Sequence, residues 1–292
     1  MPRRLASILR CVIILSWGLC AAACQGGASN VTTTPAALTP AGAATVDTAA
    51  LDKTGFLPPD ERPDALSLIP APPVPGSSRM AADEETYRES VHWSGTPRWR
   101  LAALDANVQF PGAASVFACA TGINVSQQHT PQLYSLLQRT VIDAGQSTLA
   151  AKQKYQRARP FAVFGDPMCL PEQAAALRSK DAFPSGHASL GWAWGLILAE
   201  LVPDRADAIL RRGYEFGQSR VVCGVHWQSD VDAGRLVGAA VVALLHGNEE
   251  FMTALRAARH ELAETRSSDA DHAIACGAER AAFAAAVPTA SP

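Results

Sequence analysis

The sequence predicts an all-α domain, and three observations carry that expectation. Helix-start signals recur along the chain, each a capping side chain followed by proline or by an apolar run. The β-branched, period-two alternation of strands is nearly absent. Two apolar runs, Leu190 to Val202 and Leu236 to Leu245, are too short to cross a bilayer, which needs ~20 residues, and read instead as buried core helices.

The elements follow in order. Thr96-Pro97 opens one helix, and Thr130-Pro131 opens a long one ending near Arg159, where Pro160 stops it. Pro171 can open a short helix. Ser185 caps the helix that holds the Leu190 to Val202 run, and Pro203 starts another reaching about Gly217. His226 to Leu245 and Glu249 to Glu264 complete the set, and an Ala-rich tail occupies 266–292. Upstream, Pro58, Pro59, Pro70, Pro72, Pro73 and Pro75 predict an extended segment. The domain itself is placed at 84–265, behind a low-complexity and Pro-rich tether at 24–83.

The first 23 residues read as an export signal: Arg3, Arg4 and Arg10, a short apolar run from Cys11, then Ala21 to Ala23. Cys24 follows at the cleavage point and resembles the acylated cysteine of a bacterial lipoprotein, although Ala21 stands where such signals usually carry Leu. Periplasmic export is expected, with an outer-membrane lipid anchor in a Gram-negative cell if Cys24 is acylated. Cys119, Cys169, Cys223 and Cys276 then form an even set suited to an oxidising compartment, with three connectivities open. A net charge of −2 over 292 residues gives no electrostatic footprint for nucleic acid, so any basic cluster is a local pocket.

Three segments carry chemistry. Lys152 and Arg159 are seven residues apart, two turns of a helix, so one face can present both to an anion. A solvated basic face is the bland alternative, and it is the reading given to Lys154 and Arg157. Pro184-Ser185-Gly186-His187 opens a helix whose free N–H groups make an anion nest, with His187 at its rim; an ordinary N-cap is the alternative. Arg220 precedes His226, and Asp230 stands four residues further on, where an i,i+4 carboxylate fixes a histidine tautomer. Asp232 lies off that face. Together these are three cations, a nest, two histidines and an orienting carboxylate within about eighty residues. Phosphoryl transfer asks for those components.

The three segments resemble the signature of the type 2 phosphatidic acid phosphatase superfamily, which also holds the vanadium haloperoxidases. Within it, residues from about Thr86 to Glu264 resemble the bacterial class A non-specific acid phosphatases. Phe117-Ala-Cys-Ala120, Asp143-Ala-Gly145 and Cys223 to Asp230 carry that likeness. One departure is Asp181-Ala182-Phe183, where that family has Gly-Ser-Tyr; it bears on substrate preference. The resemblance implies a compact helical fold and a phosphate monoester hydrolase. It makes His226 the nucleophile, Asp230 its orienting partner and His187 the general acid. Lys152, Arg159, Ser185, Gly186 and Arg220 hold the phosphoryl oxygens. It implies no metal or other cofactor, small phosphate esters as substrates, and a homo-oligomer in many members. His92, His129, His246, His260 and His272 are expected at the surface. Rival expectations are a vanadium haloperoxidase, a lipid phosphate phosphatase and an inactive phosphate-binding protein.

Overall fold

The computed structural model describes residues 54–178, 182–268 and 276–284. The expected export signal, Cys24, Asp181 and His272 lie outside the described residues. All regular structure among the described residues is helical. Helices α1 (Ala65–Leu68), α2 (Ser78–Ser90) and α3 (Pro97–Leu104) are followed by α4 (Ala118–Thr121) and α5 (Pro131–Gln146). Next come α6 (Leu149–Tyr155), α7 (Pro160–Phe164), α8 (Ala174–Arg178) and α9 (Gly186–Leu201). The last four are α10 (Ala206–Val222), α11 (Gln228–Leu245), α12 (Glu249–Ser268) and α13 (Gly277–Ala284).

Helix α9 is apolar around its whole circumference, and a helix of that kind belongs inside. It packs against α10, α11 and α5, with Trp194, Ile197 and Leu198 buried. Each such side chain contributes about 1.5–3 kcal/mol of transfer free energy. Helix α5 instead shows one apolar stripe, Leu133, Leu136, Leu137 and Ala144, facing that core. The Trp194 indole N–H donates to the Leu137 carbonyl at 3.0 Å, which satisfies its one polar atom. Thr96 and Ser185 cap α3 and α9 through their side chains, as expected. The two short apolar runs are α9 and the second half of α11, and no helix among the described residues is long and apolar enough to cross a membrane.

Several boundaries differ from the sequence reading. The long helix expected from Thr130 to Arg159 is two helices, α5 and α6, and α6 ends where Gln156 adopts a left-handed conformation at φ 45°. Arg159 is extended (φ −80°, ψ 147°), as the residue before a proline prefers, so Lys152 and Arg159 do not share a helix face. Helix α11 begins at Gln228, which leaves His226 outside it, and α10 runs on to Val222. The Pro-rich stretch contains the helical turn α1, and Phe56, Leu57, Ala65 and Ile69 are buried in the main core. Buried Asp143 accepts the Phe56 and Leu57 N–H groups at 2.8 and 3.0 Å and so pins this segment. In the tail, α13 packs on α3.

The structure selects one of the three disulfide connectivities, Cys119–Cys276 and Cys169–Cys223.

Candidate active site

Main-chain hydrogen bonds bring the three segments together. The Ala182 N–H donates to the Arg157 carbonyl at 2.9 Å, and the Ser185 N–H to the Asp230 carbonyl at 2.9 Å. The Phe161 N–H donates to the Gly224 carbonyl at 3.1 Å. Gly224 turns the chain at φ 77°, a conformation that favours glycine, and delivers Val225 and His226 from the end of α10 to the start of α11. The Arg220 carbonyl accepts the N–H groups of Val225 (3.1 Å) and His226 (3.3 Å), fixing that turn from within.

His226 is buried, and both ring nitrogens are engaged. Nδ1 lies 3.2 Å from Asp230 Oδ2, and Arg159 Nη1 lies 2.9 Å from Nε2. A guanidinium can only donate, so Nε2 carries a lone pair and the proton sits on Nδ1, directed at the carboxylate. Asp230 is the third residue of α11 and also accepts the Trp227 N–H at 2.9 Å, closing the helix start. The expected His226–Asp230 pairing is therefore present, but it joins a turn to a helix start rather than two positions on one helix.

Arg159 is buried and also donates to the Val225 carbonyl at 2.7 Å. Arg220 is buried as well, and its Nε and Nη1 have no hydrogen-bond partner in the protein. Buried N–H donors left without acceptors are costly, so these two nitrogens could take an anion. Burial and Arg159 push it down from its ordinary value, while Asp105 supports its charge from behind. Lys152, on α6, lies near enough to act electrostatically on His187, His226 and Asp230. Ser185 is buried as the cap of α9, its hydroxyl accepting from the Ala188 N–H at 3.3 Å. At Gly186 a methyl group would meet only Thr148 Oγ1 at 3.6 Å, an ordinary contact, so packing within the protein does not require glycine there.

His187 is partly exposed, and its Nε2 lies 3.0 Å from the Ala106 carbonyl. That acceptor fixes an Nε2–H tautomer, with the lone pair of the neutral ring on Nδ1. Burial first, then Arg220, Arg159 and Lys152, hold His187 well below the ordinary histidine range. Burial first, then Arg159, Lys152, Arg220 and His187, hold His226 down in the same way. All eight residues singled out by sequence thus fall in the three segments that these bonds join, and each histidine lies within electrostatic reach of all three cations.

Sequence reasoning missed a layer behind them. Arg157, read as a solvated cation, turns inward and pairs with Asp83 and Asp230. The signal was available: Pro160 forbids a helix through Arg159, so residue 157 need not share the exposed face of Lys154. Beneath Arg220, Ser219 donates to Asp105, Arg98 donates to Ser219 at 2.8 Å, and Asp105 is ion-paired to Arg212. Among the described residues, no group of three His, Cys, Asp or Glu could hold a metal ion. His92, His129, His246 and His260 lie at the surface, and exposed Asp232 pairs with Arg235 and Gln228 rather than with His226.

The family model described as the PAP2 superfamily matches residues 131–250, which contain all three segments. The chain is 42% identical to the non-specific acid phosphatase of Providencia stuartii over 204 residues, 70% of this chain and 82% of that protein. It is 39% identical to the non-specific acid phosphatase of Salmonella typhimurium over 220 residues, 74% of this chain and 88% of that protein. A lipid A 1-phosphatase of Rhizobium etli is 30% identical over 169 residues, 57% of this chain and 71% of that protein.

Proposed function

Because the chain belongs to the PAP2 superfamily, among its bacterial class A acid phosphatases, we propose that it hydrolyses small phosphate monoesters through a phosphohistidine formed on His226, without a metal ion. The observation that carries this reading is the buried Arg220 guanidinium, whose Nε and Nη1 have no hydrogen-bond partner, within electrostatic reach of His226. Arg220, Arg159, Lys152 and the N–H groups at the start of α9 bind the phosphoryl oxygens and supply the charge stabilisation that a metal otherwise gives.

The neutral Nε2 of His226 attacks phosphorus as Arg159 leaves it for a phosphoryl oxygen. The forming imidazolium is stabilised by Asp230 through Nδ1–H. The P–O bond to the alcohol breaks, and His187 gives that oxygen a proton. His187 then takes a proton from water, whose oxygen attacks the phosphohistidine, breaking the P–N bond and returning His226 to its neutral state. The phosphate dianion itself readies His187, because it cancels the repulsion of three cations and lets the imidazole accept a proton.

Phosphate release from p-nitrophenyl phosphate in EDTA, with His226→Ala alongside, tests the proposal. Wild-type turnover should survive EDTA, and the variant should lose about 10³-fold or more in kcat. Turnover abolished by EDTA and restored by a divalent ion, or retained by the variant, would overturn it. Export to the periplasm is also proposed, on the Arg3 to Ala23 pattern; N-terminal sequencing and mass of the mature protein would show cleavage and any acyl group on Cys24.

A further inference from the structure

We propose that Arg157 is a positioning residue for the reaction: clamped by Asp83, it fixes the Asp230 carboxylate so that the other oxygen holds His226 in its nucleophilic tautomer. The inference rests on the reading of His226 as nucleophile.

The two oxygens of Asp230 have separate tasks. Oδ2 takes the Trp227 N–H and faces His226 Nδ1, whereas Oδ1 meets Arg157 Nη1. Asp230 is fully buried, so Oδ1 depends on Arg157 for its compensation. Arg157 is itself held on every side. Nη1 also donates to Ser229 Oγ at 2.8 Å, Nη2 to Asp83 Oδ2 at 2.8 Å, and the guanidinium lies 5.2 Å from the centre of the Trp227 ring. Asp83, on α2, is buried and accepts the Ser229 N–H at 2.9 Å as well as the Ser229 hydroxyl. One carboxylate thus holds both the cation and the first turn of α11, from which Asp230 projects.

This arrangement does more than pack. Without Arg157, Asp230 Oδ1 would lose the cation in contact with it, and Asp230 would take a proton more readily or rotate. His226 could then carry its proton on Nε2, the nitrogen that must attack. The groups facing Asp230 from neighbouring elements are Arg157 and Lys152, with His226 on its own segment. Arg157 is the one in contact with Oδ1, so its loss should raise the pH at which the His226–Asp230 pair takes up a proton.

The test compares Arg157→Gln, Arg157→Lys and Asp83→Asn with wild type, using p-nitrophenyl phosphate from pH 4 to pH 9. Inhibition by orthophosphate reports on the pocket, and His226→Ala serves as a control. Arg157→Gln should lower kcat about 10- to 100-fold, the usual cost of losing a group that orients a catalytic ligand. Its KM and phosphate inhibition constant should stay within about threefold. The acidic limb of kcat/KM should move to higher pH, and Arg157→Lys should bring it back. An unmoved limb with unchanged kcat would overturn the proposal. So would equal losses in kcat and phosphate affinity with an unmoved limb, the mark of a purely structural role. Should Arg157→Gln fail to fold, Asp83→Asn decides, since it keeps Arg157 and Asp230 and only loosens the clamp: a smaller fall in kcat with KM and the phosphate inhibition constant unchanged supports the clamp, and no change in kcat overturns it. A His226→Ala enzyme that still turns over would instead overturn the nucleophile assignment, whatever Arg157 does.

Discussion

His226 has a carboxylate on one ring nitrogen and a guanidinium on the other, and this governs its response to pH. Burial and the nearby cations lower both histidines. His226 therefore stays neutral well into acid, while free-enzyme His187 loses its proton at lower pH than an ordinary histidine. Burial pushes the Asp230 carboxyl up to about 6, with Arg157 and the Trp227 N–H holding it back, so the buried pair takes up its proton as a unit on the acid side. The profile of kcat/KM should be bell-shaped with an acidic optimum. Bound phosphate cancels the repulsion on His187, so the descending limb of kcat should lie at higher pH than that of kcat/KM. Coincident limbs, or a rate flat from pH 4 to pH 9, would contradict this assignment. At this scale the eight residues proposed for the site could be picked out in sequence because their chemistry is local: a cap, a pre-proline arginine, a histidine near an acid. Arg157 was not, because whether a cation faces water or a buried carboxylate depends on partners 73 and 74 residues away.

Helices bring those residues into register by close approach. Gly234 and Gly238 of α11 lie against the Ser185 and Ser189 carbonyl oxygens of α9, and a methyl at either would collide with main chain. This crossing sets the distance between the start of α9, with Ser185 and His187, and the start of α11, with Asp230. Gly238→Ala should cost about 1–3 kcal/mol of stability, the usual range for overpacking, and should lower kcat by displacing one helix start from the other. Thermal unfolding and kinetics on one preparation check both effects; a variant with unchanged Tm and kcat would show that the helices can part without consequence. Sequence pattern found the major helices, since caps and prolines act over three or four residues. It missed the break between Gln146 and Leu149 and the end at Gln156, and began α11 two residues early. The turns before Arg159 and before Gln228 are held by main-chain contacts that local pattern does not show, Ala182 to Arg157 and Val225 and His226 to Arg220.

For the molecule as a whole, the two disulfides close large loops. Cys119–Cys276 links residues 157 apart and Cys169–Cys223 residues 54 apart. By loop entropy alone these stabilise by about 5 and about 4 kcal/mol. Their positions differ in consequence. The first tethers α13, whose Glu279 meets the buried Arg212–Asp105 pair beneath Arg220. The second sits at the end of α10, three residues before His226, and its Cys169 N–H donates to the Cys223 carbonyl at 3.2 Å. Cys169→Ser with Cys223→Ser should lower both Tm and kcat, whereas Cys119→Ser with Cys276→Ser should lower Tm by about 10 °C or more and leave kcat within about threefold. Equal kcat losses in both pairs would contradict the distinction.

The sequence by itself determined the helical class and the three signature segments. These follow from propensity, capping and side-chain chemistry, which each residue carries with it. Tertiary structure alone decided which cysteines pair, that Lys152 sits on α6 while Arg159 lies in the extended stretch after it, and that Arg157 faces inward. The physical reason is burial. Removing a charge from water forces a search for a counter-charge, and packing of distant segments chooses the partner.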